Sequence, residues 1–409
     1  MRLYILPTIV FIAISVPPQI AAAQDAPSMD EAAFIAALEE RDPRLAQFAA
    51  AIDVAVAEAL AAGVRPNPML AIDREEVFPD GGVATNYLRV LWPIDLAGRR
   101  SRRVAAARTD ARAVAAGTET ARVALIVEGL RAFYQAAHAR LHLDLLRADR
   151  DALARAAEVV RKRSGAGATS GYDQQRIELE LAAYDDLIAS AEDAHERGRA
   201  VLGGLVGVTA IDATADLALP AGPAPAEAMI SGAVEARGDH RAAGLRADAA
   251  DQRSRLAGRG WIPEVSVSAG AMSAEVGTDT AFGYTVGLTL SLPIFDRGQG
   301  DRARAAAERH TAAAERRVLE ATVPAQIRVA RDGLARRIEQ ARRVTTDQLA
   351  RLDQLLRTAE TGYREGQTGI VELLDAYRTA RTTRLRDLEL RRDAQFARLE
   401  LWLALGHRP

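Results

Sequence analysis

The chain is written twice. Pro93-Ile94 recurs as Pro293-Ile294, and the same shift of 200 carries Gly98 onto Gly298 and Ala105-Ala106-Ala107 onto Ala305-Ala306-Ala307. Further on, Gly167 and Thr169 fall on Gly366 and Thr368, and Leu202 and Gly207 on Leu401 and Gly406, at a shift of 199. A near-constant offset over such intervals predicts a tandem duplication, so whatever architecture one half adopts must suit the other.

Each copy opens on strand-like alternation. From Phe282 to Leu292 every even position is apolar or aromatic and every odd one small or polar, the period of a half-buried strand. Val265 to Ala271 alternates likewise, and Gly277, Thr278 and Asp279 lie between, which predicts a hairpin at about 262–292. In the first copy Leu88, Val90 and Trp92 alternate with Tyr87, Arg89 and Leu91, after a weaker strand around Met69 to Arg74, predicting a hairpin at about 67–92. Long helical stretches follow. From Gly98 to Gly165 the chain could run as one helix of about 100 Å. In the second copy Ile327, Ala330, Leu334, Ile338, Ala341, Val344, Leu349, Leu352 and Leu355 recur near a period of 3.5, a coiled-coil seam. Glycine-rich breaks at 165–171 and 362–369 return the chain in second helices to Gly207 and Gly406. Pro324, inside the second long helix, is expected to kink or break it. The expected units are a first repeat over 24–208 with its helical hairpin at 98–207, a linker over 209–225 rich in Ala, Pro and Gly, and a second repeat over 226–409 with its helical hairpin at 301–406.

Composition narrows the setting. Arg2, the apolar run Leu3 to Val16, Pro17-Pro18 and Ala21-Ala22-Ala23 read as a secretory signal over 1–23. That run is short of a spanning helix, and no later stretch is continuously apolar over a span's length, so no further helical span is expected. The absence of cysteine removes disulfides, thiolate catalysis, cysteine metal sites and an N-terminal lipid anchor. With 53 basic against 55 acidic side chains there is no global field to attract nucleic acid.

A soluble sandwich would also have strands with one apolar face. Two features favour a membrane barrel. The strands have about the 9–11 residues that a tilted membrane strand needs. Aromatics also stand at their ends, Trp92 and Trp261 toward the helices, Phe282 and Tyr284 toward the hairpin turn, as in interfacial girdles. Four strands cannot close a barrel, and an open edge in lipid strands backbone groups at several kcal/mol each. Such a chain must oligomerise, its helical hairpins bundling into a tube on one side of the membrane.

Chemistry-bearing motifs are missing. There is no phosphate-binding loop and no Gly-x-Ser-x-Gly elbow, and Gly165, Gly167 and Gly171 lie between helices, not between strand and helix. Carboxylates alternate with arginines as on solvated helix faces. No catalytic residue, cofactor site or resident metal is expected. His138 and His142 share a helix face at i, i+4, but without a third ligand they read as surface histidines.

The duplicated plan, the segment Leu-Ser-Leu-Pro-Ile-Phe-Asp-Arg-Gly at 290–298, and the run from Tyr363 to Ala376 resemble the TolC-like outer-membrane efflux factors over nearly the whole mature chain. Asn67-Pro68 and the segment from Pro93 to Arg100 are most similar to the heavy-metal branch. The resemblance implies a mainly α fold with transmembrane β: a homotrimer in outer-membrane lipid whose 12-stranded barrel takes four strands from each copy, and a periplasmic α-helical tunnel. It implies a passive export duct, for metal cations, that meets a periplasmic adaptor protein and an inner-membrane RND-type transporter. Glu372 and Asp375 match the family's acidic rings at the tunnel tip, and Asp173 and Tyr363 match residues of its closed-state network. The family's basic clasp position is Thr368 here, leaving Arg364 as the nearest substitute. A periplasmic coiled-coil adaptor is the alternative function. It would be expected to flank a single helical hairpin with compact lipoyl-like domains.

Overall fold

The computed structural model describes residues 26–78, 83–224, 227, 230, 232–276 and 278–407. The expected signal segment lies outside them. A two-residue strand β1 (Ser28–Met29) precedes helices α1 (Glu31–Arg41) and α2 (Pro43–Ala62). Strands β2 (Met69–Glu76) and β3 (Ala84–Ile94) lead into the 67-residue α3 (Arg99–Gly165), which returns as α4 (Gly171–Val206). After β4 (Asp212–Ala213), α5 (Ala233–Ala236) and α6 (Gly238–Ala257), the order repeats with β5 (Glu264–Val276), β6 (Asp279–Ser291), α7 (Gln299–Arg343), α8 (Leu349–Glu365) and α9 (Ile370–Leu405). A π-helical turn, Val344–Gln348, joins α7 to α8.

The four longer strands form one antiparallel sheet in the order β2-β3-β5-β6. Register turns the alternation of each strand into two-dimensional faces. Leu70, Val90, Ala269 and Val286 lie in one cross-strand row, and Ile72, Leu88, Ala271 and Tyr284 in the next. The opposite face carries Asp73, Tyr87, Met272 and Gly283, then Ala71, Arg89, Gly270 and Thr285. There Arg89 pairs with Asp73 at 2.5 Å and the Tyr87 hydroxyl donates to Glu75 at 3.4 Å. A Cβ on Gly270 would lie 2.0 Å from the Leu88 carbonyl oxygen, so glycine is what lets β5 approach β3 this closely. The apolar face is bare: Phe282 and Tyr284 are each 85% exposed, and Trp92, Val286, Leu288 and Leu290 are exposed as well. Among the described residues β2 and β6 each have one unpaired edge.

The two strand-to-helix corners are built alike. Gly98 (φ 62°) and Gly298 (φ 74°) take the left-handed turn that non-glycine residues resist. Asp95 accepts from the Arg99 and Arg100 amides at 2.8 Å each, capping α3, and Asp296 accepts from Gly298 N at 2.9 Å.

The helices share a core of several clusters. Phe34 of α1 stacks on Phe133 of α3 at 5.2 Å, beside Leu130, Leu202 of α4 and Trp402 of α9. Ile211 and Leu217, within the stretch read as a linker, are fully buried there, and β4 pairs in parallel with β1. A second cluster, with Leu146, Leu153, Ile177 and Tyr184, runs toward the helix-to-helix turns.

Several expectations change. Pro324 does not break its helix: α7 runs through it, clamped by the buried Val323 and Ile327 on either side. The interruption falls at the π turn instead, anchored by the Thr345 hydroxyl donating to the buried Asp387. That wider turn inserts a residue and rotates the helix face. Leu352, Ala359 and Tyr363 are therefore buried beyond it, whereas Leu355, placed in the seam by the 3.5 period, is exposed. The first hairpin extends further than the alternation indicates, β2 to Glu76 and β3 through Pro93 to Ile94. Helix α2 is long and apolar enough by composition to cross a membrane, contrary to the expectation of no further span. It carries Arg44, Asp53 and Glu58 and packs chiefly along α3.

Candidate functional site

The residues of interest gather where α3 turns into α4 and α8 into α9. Gly167 (φ 70°) and Gly366 (φ 78°) provide the left-handed positions of the two turns. Gly366 caps α8, and the amides of Gln367 and Thr368 return to the Gly362 carbonyl at 2.8 and 3.2 Å, satisfying an otherwise unpaired helix-end acceptor. Across the gap, Asp173 sits in the first turn of α4, where a carboxylate complements the helix N-terminus.

The structure brings Tyr363 and Asp173 together. Tyr363 is 2% exposed, and its hydroxyl donates to Asp173 Oδ2 at 3.0 Å. Burial, and then the Asp173 carboxylate that accepts its hydrogen bond, push the phenol up to about 12. Arg163, from the last turn of α3, lies 5.0 Å from the ring centroid of Tyr363 and donates to its main-chain carbonyl. Nearby, the Tyr377 hydroxyl donates to Glu360 at 2.6 Å, which ties α9 to α8. A groove of about 310 Å³ opens between α3, α8 and α9, lined in part by Arg155, Val159, Arg364 and Leu373.

Glu372 and Asp375 are exposed on one face of α9, a turn apart. Glu372 is partly committed: its Oε2 accepts from Gly369 N at 3.1 Å, closing the start of α9. Thr368 packs against Gly362, where a Cβ would come within 3.0 Å of it. Arg364 is exposed and, among the described residues, forms no ion pair. The cation at these turns is Arg163, which the sequence reading missed.

Above the turns lies a charged layer inside the helical body. The buried Asp149 of α3 accepts from Arg384 of α9, and burial pushes its carboxyl above the ordinary range despite that guanidinium. The buried Glu180 of α4 accepts from Arg378 Nε at 3.0 Å, and Arg381 covers the Tyr184 ring at 5.0 Å. His138 and His142, read as surface histidines, are half-buried on α3 with ring centroids 5.9 Å apart. Burial, and then the nearby Arg392, lower His138 to about 4. The α9 side supplies Arg392 as well as Glu389 and Asp393, so one side of these rings faces packed helix. Among the described residues no three His, Cys, Asp or Glu side chains are placed to hold a metal ion. At the other end of the molecule, Trp92 and Trp261 are exposed where strands meet helices, and Phe282 and Tyr284 toward the β5–β6 turn.

Residues 229–407 match the model of the family described as outer membrane efflux protein. The cobalt-zinc-cadmium resistance protein CzcC of Cupriavidus metallidurans is 28% identical over 338 residues, covering 80% of this chain and 78% of that protein. The structure of the outer-membrane channel OprN superposes with a TM-score of 0.73 at 21% identity, covering 92% of this chain and 90% of that one. CusC, solved in a study of its folding and transmembrane channel formation, superposes with a TM-score of 0.73 at 17% identity, over 98% of this chain and 99% of that one. These matches favour the channel over the adaptor: residues 229–407 match the outer membrane efflux protein family, and the chain has the fold of the solved outer-membrane channels it superposes on.

Proposed function

We propose that three copies of this chain form a passive export duct. The barrel would hold four strands from each copy, and the α-helical tunnel would meet a periplasmic adaptor and an inner-membrane RND-type transporter. The observation that carries this reading is the sheet: one continuous, exposed apolar face, one polar face with an Arg89–Asp73 pair, and an unpaired strand at each edge. In water that face is an aggregation surface. In lipid, with β6 of one copy closing on β2 of the next, the apolar side faces the acyl chains, the polar side faces a lumen, and no backbone group is left unpaired. Trp92, Trp261, Phe282 and Tyr284 then fall at the two interfaces.

The helices support the same assembly. Helix α6 packs against both α3 and α7, whereas its counterpart α2 packs chiefly against α3 and leaves Val54, Val56 and Leu60 exposed. A neighbouring copy's α7 would supply the missing side, and α2 then needs no membrane of its own. The recurring order of strands and helices, with matching corners at Gly98 and Gly298, is what a tandem duplication would produce.

Glu372 and Asp375, three of each in the assembly, would ring the tunnel tip with carboxylates, favouring cations. Asp173 and Tyr363 would join the two hairpins in the closed state. The cargo we propose is divalent metal cations, on the similarity to a cobalt-zinc-cadmium resistance protein. The double variant E372Q/D375N tests the ring. Glutamine keeps the cap on Gly369 while removing charge. In planar bilayers under a salt gradient, cation-over-anion preference is expected to drop about tenfold. An unchanged reversal potential would place these carboxylates outside the conducting path.

A further inference from the structure

We propose that Arg163 is the positioning residue that holds the tip closed, and that it does so from within the same chain. This rests on the channel reading above. The guanidinium engages Tyr363 twice, over the ring at 5.0 Å and by donating to its main-chain carbonyl. The first contact uses the ring's negative face. The second adds a donor to a carbonyl at the C-terminal end of α8 that also accepts from Gly366 N, where a cation is favoured by the helix dipole. Together they fix both the backbone and the ring of Tyr363, and so aim its hydroxyl at Asp173 Oδ2, 3.0 Å away. Gly366 makes room: a Cβ there would stand 3.3 Å from the second guanidinium nitrogen.

Arg163 therefore joins the end of α3 to the end of α8, and Asp173 joins the start of α4 to the same tyrosine. Three helix ends of one chain meet on one side chain. Thr368, where the family places a cation, is uncharged and packs against Gly362 of its own chain. A latch carried in this way closes each protomer without reaching a neighbour, so opening would release three independent latches.

The test is single-channel recording of the full-length oligomer in planar bilayers, with wild type, Arg163→Ala, Arg163→Lys, Tyr363→Phe and the double variant R163A/Y363F. Arg163→Ala is expected to raise open probability about tenfold, with the heat-resistant oligomer and its melting temperature unchanged. Arg163→Lys should fall between, since an ammonium keeps the charge but loses the planar fork. The double variant should open no further than the stronger single one, because both act through one side chain. Arg163→Ala gating like wild type while Tyr363→Phe opens the channel would overturn the proposal, and so would additive effects in the double variant. Wild type forming no pores at all would instead overturn the channel reading on which the proposal stands.

Discussion

Arginine at both Val286 and Leu288 is expected to abolish the membrane-inserted oligomer, whereas arginine at Thr289 on the same strand is tolerated. All three positions lie on β6 within four residues of one another. They differ in face: Val286 and Leu288 share rows with Ala269 and Val267 on the apolar side, and Thr289 pairs with Ser266 on the polar side. A lipid-facing arginine near the bilayer midplane costs about 2–4 kcal/mol, so the pair costs roughly 4–8 kcal/mol, comparable to the whole stability of many domains. A lumen-facing arginine stays hydrated. The measurement is the amount of heat-resistant oligomer in outer-membrane fractions. Equal loss from all three positions would mean that the two faces are equivalent, as in a sheet packed inside a soluble protein.

The second large effect lies in the helical body. Arg384→Ala removes the guanidinium from Asp149, a buried carboxylate in the layer that also holds Glu180 and Tyr184. Leaving a buried charge without its partner costs about 3–5 kcal/mol, while replacing both partners with apolar residues of similar volume is often close to neutral. R384A should therefore destabilise the protein strongly, and D149L/R384L should recover most of the loss. The pH dependence has a defined sign. Burial already raises the Asp149 carboxyl above the ordinary range, so the fold binds its proton more tightly than the unfolded chain does. A group of this kind favours folding at low pH and loses that contribution as pH rises through its folded value. Removing Arg384, the one influence that opposes the shift most, strengthens this behaviour. The melting deficit of R384A should be largest near neutral pH and shrink on acidification. A deficit that grew in acid would show that the lost contact was packing and not charge.

Much of this molecule was legible in its sequence because its signals are periodic. Alternation over eleven residues, from 282 to 292, fixes which side chains share a face, and the β5–β6 register then had one sensible solution. The near-200 offset assigned the weaker first hairpin by analogy with the stronger second one. Tyr363 and Asp173 were placed in one network only through family resemblance, since 190 residues separate them and neither position is periodic; their contact with each other is seen in the structure. What escaped was whatever depends on packing between distant helices. The π turn at Val344–Gln348 answers to Asp387 on another helix, and nothing local in Val-Thr-Thr-Asp-Gln announces it. Pro324 looked disruptive because propensity ignores the buried neighbours that hold it in line. His138 and His142 looked exposed because their partners on α9 lie some 250 residues away. Arg163 was passed over as one arginine among many, and only the turn geometry singles it out.

The central claim is that this chain is one third of a closed barrel. Because the chain has no cysteine of its own, one introduced on β2 and one on β6 can be oxidised in intact membranes and read on a non-reducing gel. A closed trimeric barrel gives a ladder from monomer through dimer to trimer, with nothing larger, in the outer-membrane fraction. A protein recovered as an uncrosslinked monomer in the soluble periplasmic fraction would contradict it.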